Sequence, residues 1–132
     1  MKKQIITVFG NETEAKDNLA VRLVPDLQRR FPKIEFRIND PTESLEPPSD
    51  LWIILDVGQG IKEVTVVTEL KQLDYVKGSS VHDFDVYLEL KLKEKLGKLR
   101  KICLILLPHD MEAQTAYKQV VKLLATTTST RR

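Results

Sequence analysis

The chain has one cysteine, Cys103, so no disulfide can form within it, and a reducing compartment is its expected setting. Cys103 lies inside the apolar run 102–107, where a thiol reads as a small buried hydrophobe. An excess of charge of one sign is also missing. Twenty-one basic residues face 19 acidic ones, for a formal net charge of +2, which gives no reason to expect a nucleic-acid partner or an anionic membrane surface. No apolar stretch approaches the roughly 18 residues that a membrane span needs, and the first residues lack a signal-peptide core. A soluble, cytoplasmic protein is expected, and a monomer.

Several catalytic signatures are absent as well. Gly10 stands alone, without the glycine-rich loop that cradles phosphates or a dinucleotide. No serine nucleophile elbow is present, and a single buried cysteine argues against a thiol protease. No histidine pair at short spacing marks a local metal site, and no internal repeat divides the chain.

What the chain does have is a series of short apolar runs that end on polar groups. Residues 5–9 run into Gly10-Asn11, 34–38 into Asn39-Asp40, 51–55 into Asp56, and 102–107 into Pro108-His109-Asp110. The run from 51 to 57 is apolar on both faces until Asp56, the pattern of a central strand covered on both sides. Ile34, Phe36 and Ile38 alternate with Glu35 and Arg37, giving a strand with one polar face. A short strand is expected over 64–68.

Helices fall between these runs. Leu19, Leu23 and Leu27 recur at helical spacing, although Pro25 is expected to kink or split that helix near Val21. The segment from 86 to 99 alternates like a strand at first, but its Leu, Lys and Glu content favours helix. Ser80 and Asp83 supply a capping-box-like start that puts His82 in the first turn. A last helix, capped by Asp110, is expected through about Ala125. Strands alternating with helices predict an α/β layered sheet in one domain of this 132-residue chain.

If the four runs are parallel strands, their polar ends share the edge where open α/β sheets bind ligands. Asp56 is the sharpest residue there, because a carboxylate directly behind five apolar residues must find a partner, a metal or solvent. The plainer account is a cap on the following loop. His82 suits a ligand, an acid/base group or an ordinary first-turn residue, and Asp83 and Asp85 flank it. Asp17 lies early in the first helix region, where a favourable charge near a helix N-terminus is the plainer account. His109 reads as part of a turn and helix cap. The residues by themselves stop at an α/β domain with a carboxylate–imidazole candidate site.

Taken in order, Val8-Phe9-Gly10-Asn11, Asp17 followed by Val21-Arg22-Leu23-Val24, Asp40-Pro41-Thr42, the run 51–56 and Ser80-Val81-His82-Asp83 resemble the hydrogenase maturation protease family. The resemblance covers nearly the whole chain, to about Ala125. It implies a single three-layer α/β domain over residues 1–125, with a twisted, mostly parallel sheet of about five strands, helices on both faces, and a flexible tail over 126–132. It also implies an endopeptidase that removes the C-terminal extension of a [NiFe] hydrogenase large-subunit precursor after nickel insertion.

Carried over residue by residue, the resemblance makes Asp17, Asp56 and His82 the nickel-recognising groups, with the nickel borne by the substrate precursor. Asp40 becomes a secondary acid/base or orienting candidate. Two carboxylates and an imidazole suit a divalent first-row metal. Two other readings stay open: a catalytically silent relative that binds a metal-loaded partner, and an α/β binding module without a metal.

Overall fold

The computed structural model describes residues 4–9, 19–39, 51–58, 61–69, 84–97 and 101–129. Among them are five strands, β1 (Gln4–Phe9), β2 (Ile34–Asn39), β3 (Leu51–Gly58), β4 (Thr65–Val67) and β5 (Lys101–Pro108). Three helices join them, α1 (Leu19–Arg30), α2 (Phe84–Lys95) and α3 (Ala113–Ser129).

The strands form one sheet in the order β2-β1-β3-β5-β4. The pairs β1–β2, β1–β3 and β3–β5 are parallel, and only β4 is antiparallel. The four apolar runs therefore do end on one edge, as their polar punctuation predicts. The chain passes from β1 to β2 on one side and then to β3 on the other, so the strand order reverses between β1 and β3. That reversal is the topological switch point, where the connections on either side diverge and leave a crevice.

Alternation along the strands sorts the core into two layers. On one face Ile6, Val8, Ile53, Leu55, Val57, Ile105 and Leu107 pack with α1 and α3, through residues such as Leu23, Leu27, Ala116 and Val120. On the other face Phe9, Trp52, Ile54, Leu104 and Leu106 pack with Leu90 of α2. Both central strands β3 and β5 are covered on both sides, which is why they read as nearly continuous apolar runs.

Three elements differ from the sequence expectation. Pro25 lies inside an uninterrupted α1. Its ring is exposed and displaces no core side chain, while Leu23 and Leu27 hold the helix to the sheet on both sides of it. Ile38 belongs to the apolar alternation of β2 yet is 44% exposed, because β2 is an edge strand. Helix α3 begins at Ala113, three residues past the Asp110 expected to cap it, and continues to Ser129, four residues into the segment expected as a tail. Its first turn is closed by the Ala116 N–H donating to the Glu112 carbonyl at 2.9 Å, and Thr126 in the last turns donates its hydroxyl to the Lys122 carbonyl at 3.0 Å.

The edge of β2 carries one specific device. The Gln28 side-chain amide on α1 donates to the Ile34 carbonyl at 2.6 Å and to the Phe31 carbonyl at 3.2 Å, and its oxygen accepts the Phe36 N–H at 3.4 Å. In a parallel ladder a neighbouring residue donates to one carbonyl and accepts from the N–H two residues on. Gln28 fills that slot opposite Glu35. At the end of α2, Gly97 takes φ +70° and donates to the Glu94 carbonyl at 3.1 Å, the left-handed turn that ends a helix.

Candidate functional site

Asp56 occupies the switch point. It follows Trp52 and Ile54 on the α2-facing side of β3, and Leu106 of β5 is its register partner. On the β1 side, Val8 pairs with Leu55, so the fully buried Phe9 lies level with Asp56. Asp56 is only 6% exposed, and its Oδ1 accepts the Val57 N–H at 2.8 Å. That bond within the strand end fixes the carboxylate's direction. A carboxylate buried at this level of the sheet has to be met by polar partners, of which the Val57 N–H is one, and that burial sets Asp56 apart from a solvated loop cap.

One layer below, Trp52 donates its indole N–H to Thr7 Oγ1 at 2.9 Å across β3 and β1. Both residues are buried, at 1% and 5% exposure. Nothing in the residue pattern singles out this pair. Its only trace was a hydroxyl interrupting an apolar strand, which reads equally well as an ordinary β-branched residue.

The other predicted site residues, Asp17, Asp40 and His82, lie outside the described residues, so Asp56 is the only one whose surroundings are described. In sequence, Asp17 precedes the first residue of α1 by two positions, His82 precedes the first residue of α2 by two, and Asp40 directly follows β2. Helix α1 is the crossover between parallel β1 and β2, so it starts on the carboxyl side of the sheet. Among the described residues no group of three His, Cys, Asp or Glu side chains is placed to hold a metal ion.

His109 borders the same edge. Its backbone N–H donates to the Gly58 carbonyl at 3.1 Å, which extends the β3–β5 ladder by one bond. The Met111 N–H donates to the Pro108 carbonyl at 3.2 Å, so 108–111 form the expected turn. The His109 Nδ1 atom is buried with no hydrogen-bond partner. Cys103 faces the α1/α3 side of β5, free and half-buried, and burial pushes its thiol pKa up.

Together these features define a doubly wound α/β domain with a buried carboxylate at its switch point. No protein-family model matches the sequence, and no curated protein matches it significantly. Solved structures do share the fold over nearly the whole chain. The hydrogenase-maturating endopeptidase HybD from Escherichia coli is similar with a TM-score of 0.64 and 15% identity, covering 94% of this chain and 93% of that one. A hydrogenase 2 maturation peptidase from a Thaumarchaeota archaeon gives a TM-score of 0.58 at 16% identity, over 92% of this chain and 98% of that one. An uncharacterized protein from Wolinella succinogenes gives 0.55 at 13% identity, over 95% and 99%. The chain thus has the fold found in hydrogenase maturation peptidases. No helix among the described residues is long and apolar enough to cross a membrane.

Proposed function

We propose that this protein is a cytoplasmic endopeptidase that removes the C-terminal extension of a [NiFe] hydrogenase large-subunit precursor once nickel has been inserted. The observation that carries this reading is Asp56, a buried and oriented carboxylate at the switch point of a fold shared with hydrogenase maturation peptidases.

In this reading Asp56, Asp17 and His82 are the three protein ligands, and the substrate brings the metal. A carboxylate held by the Val57 N–H presents its charge in one direction, which suits coordination of a divalent ion on a docked precursor. Three protein ligands leave positions for the groups that already hold the ion in the substrate. Their engagement ties recognition of a correctly metallated precursor to placement of its scissile peptide. Asp40, directly after β2, is the secondary acid/base or orienting group.

The test is incubation with purified nickel-loaded precursor, read by intact mass. Shortening at the precursor's C-terminus supports the reading. A stable complex without mass loss would identify instead a protein that binds a metal-loaded partner without cleaving it.

A further inference from the structure

The two edges of the sheet are protected unequally. Strand β4 is only three residues long, which leaves little backbone to pair with. Strand β2 is six residues long, and Gln28 blocks one slot of it, the Ile34 carbonyl and the Phe36 N–H. Alternate residues of a strand turn their N–H and C=O to the same side, so Ile34, Phe36 and Ile38 all face away from β1. The next outward slot, the Phe36 carbonyl and the Ile38 N–H, has no hydrogen-bond partner among the described residues. Ile38 adds a large apolar side chain, 44% exposed, at that slot.

An acceptor and a donor at strand spacing beside an exposed isoleucine complement one ligand chemistry, an extended peptide backbone carrying an apolar side chain. The slot lies at the carboxyl end of β2, the edge that also carries Asp56. We propose that the outer edge of β2 at Phe36–Ile38 is a docking strip on which the C-terminal extension of the precursor adds as an extra strand. This rests on the processing function proposed above.

Geometry sets the direction. Cleavage at the switch point leaves the extension downstream, so it enters β2 from the carboxyl edge and runs antiparallel to it, one residue accepting the Ile38 N–H and the residue two further on donating to the Phe36 carbonyl. A strand added beyond β2 is about 12 Å from the crevice between β1 and β3. The extension spans that gap in about four residues, and the docked segment starts there.

The probe is a synthetic peptide of the C-terminal extension of a [NiFe] hydrogenase large-subunit precursor, added to the full chain. Amide hydrogen exchange should slow at Ile38 and stay unchanged at Val66 on β4. Ile38→Pro removes the outward N–H at an edge position that tolerates proline, and should weaken peptide binding by roughly fivefold to tenfold. Ile38→Lys, which keeps the N–H but places a charge on the strip, should weaken it as well and serves if the proline variant does not fold.

Unchanged exchange at Ile38, or slowing at Val66 instead, overturns the proposal. Self-association that protects Ile38 without peptide also overturns it, by making this edge an interface between two copies. Precursor processing is read separately by mass. Processing without protection of Ile38 removes the docking strip alone, whereas protection without processing removes the protease reading and keeps the strip.

Discussion

Trp52 and Thr7 join the two strands of the switch point through a buried hydrogen bond, indole N–H to hydroxyl oxygen, at 2.9 Å. The register pairs Thr7 with Ile54, so the indole reaches diagonally forward from Trp52 toward the carboxyl end, and Asp56 lies two residues beyond Ile54 in the same direction. The bond therefore braces the β1–β3 seam directly beneath the candidate site.

Thr7→Val keeps the shape but strands the indole N–H among apolar neighbours. It should destabilise the fold by about 1–3 kcal/mol, the usual cost of an unsatisfied buried donor. Urea unfolding followed by the fluorescence of the sole tryptophan measures this directly. A change within about 0.5 kcal/mol would show that the bond is dispensable.

Asp56→Asn separates charge from structure. The asparagine carbonyl oxygen still accepts the Val57 N–H, so the unfolding midpoint should change little. Processing of the precursor should fall by more than about 100-fold, beyond the effect typical of an outer-shell partner of a metal ligand. Full processing by this variant would remove Asp56 from the site.

Pro25→Ala should stabilise the protein. An interior proline costs a helix about 3 kcal/mol, partly offset by the smaller freedom it leaves the unfolded chain. Since the ring is exposed, alanine restores the bond to the Val21 carbonyl without leaving a cavity. A gain of about 1–2 kcal/mol is expected from thermal unfolding. No gain would mean that the helix is already relaxed around the proline.

Cys103 gives a pH prediction with a definite sign. Burial raises its pKa in the folded state, so the folded protein holds the thiol proton after the unfolded chain has lost it. The stability this contributes is fully present below about pH 8.5 and is lost as pH rises toward the folded value. The unfolding free energy of the wild type, minus that of Cys103→Ala, should shrink above that point. In the native state a thiol reagent should label Cys103 far more slowly than in denaturant.

How much of this was legible depended on the kind of signal. The parallel strands and their shared edge followed from apolar runs, because burial on both faces leaves no room for alternation. The doubtful segment from 86 to 92 was resolved correctly as helix by propensity. Pro25 misled because whether the helix breaks there depends on how firmly Leu23 and Leu27 hold it to the sheet on either side, and that is a tertiary property. The Gln28 clamp and the exposure of Ile38 depend on β2 being an edge strand, which neighbouring residues in sequence do not reveal. The place of Asp56 at the end of a buried strand was legible for a simple reason: a carboxylate directly behind an apolar run must be accounted for.

The most direct test compares nickel-loaded and nickel-free precursor, each incubated with this protein and weighed intact. The account predicts C-terminal shortening of the nickel-loaded precursor alone. Equal shortening of both, or of neither, would contradict it.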